Sequence, residues 1–141
     1  SLAHGKGHLL RAMMEGATFA LFHNFELINE IGIKINLPLI VGEGGARSPL
    51  WRQIVADILN IPVAYMEDSK GAPVGNAIAA GVGTGIFKDY SVAKQWVKIT
   101  NVHEPNPVTN KEYMKYYEIF RKLYYDLKDD FVLLAKAAGS I

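Results

Sequence analysis

The sequence contains no cysteine and no long apolar run, and its charges nearly balance. Without cysteine the chain forms neither disulfides nor CxxC metal sites, and this composition suits a reducing compartment. The longest charge-free run, residues 71–87, is rich in glycine and shorter than the roughly 20 apolar residues of a membrane span. A net charge of +1, from 15 basic and 14 acidic residues, creates no field that attracts nucleic acid or anionic membrane. We therefore expect a cytoplasmic protein with small-molecule or protein partners.

The chain length and the absence of two nucleotide-binding motifs restrict the class of protein further. A chain of 141 residues can bury one core, so a single domain over residues 1–141 is expected. No GxxxxGK[ST] sequence is present, which excludes a P-loop nucleotide site. Residues 81–85, GVGTG, lack the GxGxxG spacing and follow a helical pattern, so they predict a helix end and turn.

The most informative segment is LPLIVGEGGARSPLWRQIVADILNIPVAY, residues 37–65. An apolar run stops at a glycine cluster, Ser48 and Pro49 then begin an amphipathic helix, and a second apolar run starts at Ile61. This order predicts a parallel βαβ unit with the glycines at the carboxyl end of its first strand. In open α/β sheets, ligands bind at that edge.

Four helices are predicted in all, one inside this unit and three outside it. The first runs from about His8 to Ile31, with Leu10, Met13, Met14, Ala17, Leu21 and Ile28 on one apolar face. The βαβ helix runs from Pro49 to about Asn60, with Leu50, Ile54 and Ile58 buried. A third starts at about Pro73 and carries almost no side-chain bulk. A long final helix starts at Thr109 with a capping-box pattern. Residues 88–108 are expected to be mainly irregular, with 97–100 the part most suited to an extended conformation.

Three segments together resemble the FGGY carbohydrate kinases, the xylulokinase and glycerol kinase group. The sequence GGARSPLWRQIVADIL, with IPV after it, is similar to the adenosine motif of that family. GHLLRAMMEGATFAL upstream and GAPVGNAIAAGVGTGIF downstream are similar to the helices that flank the motif. The resemblance covers residues 7–87. It departs at Glu43, where many relatives carry a third glycine and others an acidic residue.

The resemblance implies a fold and an activity. The fold is α/β, part of the actin and sugar-kinase (ribonuclease H-like) lobe, with a βαβ core of parallel strands, flanking helices and a long C-terminal helix. Residues 1–141 would form the C-terminal portion of the second kinase domain. The full enzyme would transfer the γ-phosphoryl group of ATP, with Mg²⁺, to a sugar or polyol hydroxyl. Similarity of SPLWRQIVADIL to xylulokinases favours a pentulose such as xylulose.

Within this chain the resemblance implies a site for the adenosine end of ATP. Its residues are Gly44, Gly45, Ala46 and Ser48. The small residues of the third helix are candidates for one side of the adenosine pocket. The catalytic base, the Mg²⁺ site and the phosphate-binding hairpins of the family lie outside the matched region, and sugar contacts belong mainly to the missing N-terminal lobe. We therefore assign no catalytic and no metal-binding residue here, and we expect the isolated chain to be inactive as a kinase.

Other interpretations stay open at this point. The chain could instead be a nucleotide-sensing module without chemistry, or a protein-interaction module with a vestigial pocket. Individual residues also have structural explanations: a tight turn for the glycines, a helix cap for Ser48, core packing for Trp51 and a structural hydrogen-bond partner for Asp57. His4 and His8 are four residues apart but have no recognisable third ligand.

The number of recognisable strands leads to one more expectation. The family's lobe carries a five-stranded sheet, whereas only two parallel strands are identifiable in this sequence. A sheet that lacks its neighbouring strands exposes unpaired N–H and C=O groups, which recruit another chain. We therefore expect a homodimer.

Overall fold

The computed structural model describes residues 3–67, 71–96 and 98–139. In chain order the elements are α1 (Lys6–Glu30), β1 (Leu39–Val41), α2 (Pro49–Leu59), β2 (Val63–Glu67), α3 (Ala72–Gly83), α4 (Ala93–Trp96), β3 (Lys98–His103) and α5 (Pro107–Ala137). Short 3₁₀ turns lie at Gly44–Arg47 and Tyr90–Val92. Across these described ranges, no helix is both long and apolar enough to cross a membrane.

The chain divides into two compact units. The helix unit is built from Ser1–Ile33 and Pro107–Ile141, and the sheet unit from Lys34–Asn106. That residues 1–141 form a single domain therefore stays a prediction.

The sheet unit contains the predicted βαβ motif. Strand β1 pairs in parallel with β2, with Leu39 opposite Val63 and Val41 opposite Tyr65, and α2 connects the two strands. The sheet order is β1-β2-β3, and β3 pairs antiparallel with β2. The α/β prediction with parallel core strands is thereby confirmed. Among the described residues, β1 has a paired strand on one side only.

Helix α2 begins and ends where its sequence predicts. The Ser48 hydroxyl accepts a hydrogen bond from the Trp51 amide at 3.4 Å, and Pro49 occupies the first helical position. Asn60 ends the helix in the left-handed conformation at φ 54°, which asparagine tolerates better than most residues. The side chains of Ile54 and Ile58 are almost completely buried, together with Val63 of β2. This cluster forms the core of the sheet unit.

The helix unit is held together by aromatic rings. Phe19 of α1 contacts Tyr113 of α5 edge-to-face, with ring centroids 6.1 Å apart, and Phe22 contacts Tyr117 at 4.6 Å. The Tyr113 hydroxyl donates to Glu15 at 2.8 Å, and the Tyr117 hydroxyl donates to Glu26. Buried tyrosines thus contribute both ring contacts and a satisfied hydroxyl, as expected for this residue type.

The predicted apolar face of α1 was partly wrong. Leu10 and Met13 are more than 60% exposed and Ala17 is also exposed, whereas Thr18 and Phe19 are buried. Within this unit α1 packs on α5, so each helix buries one narrow strip rather than a broad face. Leu50 of α2 was likewise predicted to be buried but is half exposed. The buried residues of this helix begin at Arg52.

Two boundary predictions in the C-terminal half were also wrong. Helix α5 begins at Pro107 rather than Thr109, so the predicted capping box lies inside the helix. Proline is well suited to the first helical position, which explains the earlier start. Residues 98–100 are extended as expected, with Val97 outside the described residues, but strand β3 continues to His103. Its pairing with β2 is non-local, which a local pattern does not reveal.

Candidate nucleotide site

The predicted site residues lie in the 3₁₀ turn that follows β1, which we call the glycine turn (residues 43–48). The Ala46 amide donates to the Glu43 carbonyl at 2.9 Å, and the Ser48 amide donates to the Gly45 carbonyl at 2.9 Å. The Ser48 carbonyl in turn accepts from the Arg52 amide, so the turn continues directly into α2. The turn therefore joins the carboxyl end of a parallel strand to a helix N-terminus, as the sequence predicts.

The backbone at the start of the turn is strained at Glu43. This residue has φ 55° and ψ 176°, a conformation that is almost restricted to glycine. The following Gly44 also has a positive φ of 47°. The Glu43 carboxylate accepts from Arg47 at 2.7 Å in an exposed ion pair. The conformation gives a physical reason why glycine would be favoured at position 43, and the ion pair gives the acidic side chain a local role.

Gly45 and Gly44 have different surroundings. A Cβ atom on Gly45 would lie 1.7 Å from Cζ3 of Trp51, whereas one on Gly44 would meet nothing within 4 Å. The Trp51 ring packs directly against Gly45, so the fold itself requires glycine there. At Gly44 the backbone is open, and a flat ligand can approach it closely.

Helix α3 begins beside the glycine turn. A Cβ on Gly71, its N-cap residue, would lie 3.8 Å from Cγ of Glu43. Most of the small residues of α3 are exposed, including Gly75, Ala77 and Ala79. Gly81 is buried instead, and a Cβ there would lie 2.3 Å from the Phe87 ring. The small side chains near the start of α3 are therefore available to a ligand, while Gly81 serves internal packing.

A buried polar network behind the turn was not predicted. The Arg52 guanidinium donates to the Ala46 carbonyl at 2.6 Å through Nη1 and to His103 Nε2 at 3.1 Å through Nε. It also lies 4.4 Å from the centroid of the Tyr65 ring. His103 Nδ1 contacts Gln53 Oε1 at 3.1 Å. Ala46 is the buried member of the turn, at 8% exposure, and its carbonyl is fixed by this network.

The network continues along α2 to Asp57. Its Oδ1 accepts from Gln53 Nε2 at 2.8 Å and from the Asn106 amide at 2.9 Å, while Gln53 Nε2 also donates to the Glu104 carbonyl. Asp57 is 7% exposed, so the prediction of a structural partner is confirmed. Three polar residues in a mainly apolar helix, at positions 52, 53 and 57, were the available signal. Position 103 gave none, because its contacts are 50 residues away in sequence.

Burial and charge act together on His103. Burial lowers the pKa of this imidazole below its ordinary value of 6.5, and the Arg52 cation lowers the pKa further, while Asp57 acts in the opposite direction. The neutral form is therefore favoured. This agrees with the hydrogen bond that its Nε2 accepts from Arg52.

The other histidines lie in the helix unit. The His4 and His8 rings meet edge-to-face at 5.3 Å, and His8 Nδ1 accepts from the Gly5 amide. His23 contacts the rings of Tyr124 and Tyr125. In residues 3–67, 71–96 and 98–139, no group of three or more metal-ligating side chains could hold an ion.

The helix unit also carries a groove that the sequence did not reveal. Its volume is about 610 Å³, and Phe19, Tyr113, Tyr116 and Phe120 contribute to its lining. Among the polar residues that line the groove, Arg11 and Glu15 bond to each other and to the Tyr113 hydroxyl. The lining of this groove is mainly apolar, whereas the glycine turn presents exposed backbone.

Comparison with known proteins places this fold. The chain superposes on the crystal structure of xylulose kinase from Rhodospirillum rubrum with a TM-score of 0.78 and 31% identity, over 93% of this chain and 27% of that one. It is 33% identical to xylulose kinase of Bacillus subtilis over 90% of this chain. This chain is also 29% identical, over all of its residues, to part of gluconokinase of Bacillus licheniformis. The fold is therefore that of the actin and sugar-kinase type.

Residues 1–84 match the FGGY family of carbohydrate kinases, C-terminal domain. The chain belongs to this family. It spans about a quarter of the curated relatives' length, 26% of the Bacillus subtilis protein and 28% of the Bacillus licheniformis one.

Proposed function

We propose that this chain supplies the adenosine-binding part of an ATP-dependent carbohydrate kinase. The observation that supports the proposal is the position of the glycine turn, between the carboxyl end of β1 and the N-terminus of α2. Ligands of open α/β sheets bind at that edge, and helix N-termini favour anionic groups. The open backbone at Gly44 lets a nucleotide come close, Ala46 holds the turn, and Ser48 is at the end nearest the helix.

The reaction of the full protein is proposed as transfer of the γ-phosphoryl group of ATP to a sugar or polyol hydroxyl. Similarity to the Bacillus subtilis xylulose kinase favours a pentulose such as xylulose, while the gluconokinase relative shows that the family match alone does not fix the sugar. Magnesium, which neutralises phosphate charge in such transfers, would be held by residues outside this chain. The described residues offer no cluster suited to it. We also propose that the protein acts in the cytoplasm, where ATP is available.

The chain's own part is to bind and orient adenosine. Orientation of the nucleotide places its terminal phosphate for in-line attack, which contributes to such reactions mainly through positioning. The proton acceptor for the sugar hydroxyl and the sugar contacts belong to the rest of the protein. Accordingly, the purified 141-residue chain should transfer no phosphate to any sugar above a contaminant control, whereas the full-length protein should.

Binding can be tested on the isolated chain with Ser48 variants. We expect adenosine and ATP to shift the backbone amide signals of residues 43–48 in a ¹⁵N-labelled sample. Ser48→Ala removes the N-cap and should cost about 1 kcal/mol of stability. Ser48→Asp keeps the cap but adds a negative charge, so it should retain stability and weaken ATP binding more than adenosine binding.

Each outcome of this experiment has a distinct meaning. If neither ligand shifts the signals of the turn, the proposed nucleotide site is wrong. If the signals shift but ATP affinity is the same in the Ala and Asp variants as in the native chain, Ser48 is a helix cap and makes no ligand contact. Guanosine serves as the control for base recognition.

We also propose that the isolated chain forms a homodimer. Strand β1 is paired on one side among the described residues, and apolar residues of α5 such as Phe131 and Leu134 are at least half exposed. Such surfaces favour association with another chain. Light scattering across a dilution series should show a dimer at micromolar concentration. A monodisperse monomer that binds no hydrophobic dye would contradict this.

A further inference from the structure

The hydrogen bonds behind the glycine turn fix the protonation state of His103. The Arg52 Nε–H is only a donor, so His103 Nε2 must accept and cannot carry a proton. At the other end, Asp57 accepts from Gln53 Nε2, which orients the Gln53 amide with its Oε1 towards His103. The His103 proton then resides on Nδ1 and is donated to Gln53. Both ends of the chain of bonds therefore require the same neutral tautomer.

Arg52 connects this histidine to the candidate site. Its side chain is buried, with 5% of the residue exposed, and it lies against the Tyr65 ring on one side and the Ala46 carbonyl on another. The bond to Ala46, at 2.6 Å, is a direct side-chain contact to the middle of the glycine turn. Hydrogen bonds from a charged donor are typically about twice as strong as neutral ones. The guanidinium thus helps to hold the Ala46 carbonyl, and with it the middle of the turn, in place.

We propose that His103 and Arg52 are proton-sensitive positioning residues for the glycine turn: neutral His103 holds Arg52 against Ala46, and protonated His103 releases it and weakens adenosine binding. The positioning part rests on the geometry of the sheet unit. The effect on adenosine also rests on the proposed function.

Protonation would place two donors and two positive charges face to face. A proton on Nε2 would point at the Arg52 Nε–H across 3.1 Å, so the existing bond would be lost. Asp57 on α2 is the acidic group whose charge partly offsets this repulsion, and the Tyr65 ring on β2 lies against the guanidinium. Glu104 contributes its backbone carbonyl to Gln53. The net effect still disfavours the charged imidazole.

The direction of the pH effect follows from these groups. Burial and Arg52 hold the pKa of His103 below 6.5 in the folded chain. The neutral, turn-holding form is therefore complete above that ordinary value. It is lost as the pH falls through the depressed pKa of the folded state. Acidification should loosen the turn, and neutral conditions should restore it.

The test follows the histidine and the turn separately. In the ¹⁵N-labelled 141-residue chain, the ring nitrogens of His103 report its tautomer, and the amides of Gly45, Ala46 and Arg47 report the turn, between about pH 8 and about pH 5. Adenosine is the binding probe, because it carries no group that titrates in this range. We expect the turn amides to shift with the same midpoint as the His103 ring, and adenosine affinity to fall about fivefold or more on acidification.

Two substitutions of His103 separate proton sensing from packing. His103→Gln offers an oxygen that can accept from Arg52 and an amide that can donate to Gln53, but it does not titrate. It should remove the pH dependence of the turn amides and of adenosine affinity. His103→Leu offers no acceptor, so the turn should show the loosened signals at every pH. Signal dispersion elsewhere in the sheet unit shows whether each variant is folded.

The results decide the proposal without depending on the nucleotide hypothesis. Turn amides that follow the ring in the native chain and stay constant in His103→Gln would support it. Turn amides that stay constant while the ring titrates, or that shift equally in His103→Gln, would overturn it. If adenosine binds at no pH, the proposed function fails, while the amide shifts still decide whether His103 controls the turn. If adenosine binds but its affinity falls equally in the native chain and His103→Gln, the ligand part is overturned.

Discussion

Helices α2 and α5 are both amphipathic in sequence, yet they are buried to very different extents. Seven of the 11 residues of α2 are buried, whereas in the 31-residue α5 the buried residues are Tyr113 and Tyr117. Helix α2 packs on a sheet within its own unit, and α5 packs on the single helix α1. A regular apolar pattern thus indicates which face of a helix can be buried. How much of that face is buried depends on whether the helix packs on a sheet or on one other helix.

The largest test of this difference compares one buried and one exposed apolar side chain. Ile58→Ala in α2 should cost about 2–5 kcal/mol, because it leaves a cavity in a fully buried cluster. Leu134→Ala in α5, where the residue is 65% exposed, should change stability by about 0.5 kcal/mol or less. Urea unfolding followed by tryptophan fluorescence measures Ile58→Ala, since Trp51 and Trp96 both lie in the sheet unit, and helical ellipticity in the same titration measures Leu134→Ala in the helix unit. Equal effects would show that α5 is covered in solution.

Two glycines, one in each unit, compare a tightly packed position with an open one when a single methyl group is added. Gly45→Ala would place a Cβ inside the Trp51 ring, so the indole must move, at a cost of about 1–3 kcal/mol. Gly16→Ala in α1 meets nothing within 4 Å and should stabilise the helix by about 0.5–1 kcal/mol. Tryptophan fluorescence and urea midpoints measure the first, and helical ellipticity on heating measures the second. A neutral Gly45→Ala would mean that the Trp51 ring is not packed there.

The smallest expected effect concerns strain at Glu43. Glu43→Gly should stabilise the sheet unit by about 1 kcal/mol, because relief of an unfavourable backbone conformation outweighs the added chain entropy and the lost exposed ion pair. Glu43→Gln keeps the strain and removes only the charge, so its urea midpoint should stay close to that of the native chain. If Gly and Gln behave alike, the backbone at position 43 is not strained.

The sequence predicted the parts of the fold that depend on local signals. The Ser48 cap, the Pro49 start and the strand-turn-helix-strand order are all specified by neighbouring residues, and all were correct. The full length and pairing of strand β3 and the burial of Phe19 were missed, because both depend on contacts with segments far away in the sequence. The starting residue of α5 was misplaced by two positions, since Thr109 gave a stronger local signal than Pro107.

For the candidate site, the sequence predicted the position of the turn but not what holds it. The structure places Gly44, Gly45, Ala46 and Ser48 together, and their contact with a nucleotide stays a prediction. The family resemblance placed Gly45 among the adenosine-site residues, whereas the atoms next to its Cα belong to the Trp51 ring of this chain. The Arg52–His103 contact joins residues 51 positions apart, so no spacing rule could have revealed it.

The bonds from α2 to Glu104 and Asn106 also bear on resistance to proteases. Residues 104–106 belong to neither a helix nor a strand, and segments of this kind are usually where proteases cut. Here the Glu104 carbonyl and the Asn106 amide both bond to side chains of α2, Pro105 lies within the segment and Pro107 follows it. A protease must bind an extended backbone whose polar groups are free. The segment between β3 and α5 should therefore survive digestion for as long as Gln53 and Asp57 keep it attached to α2.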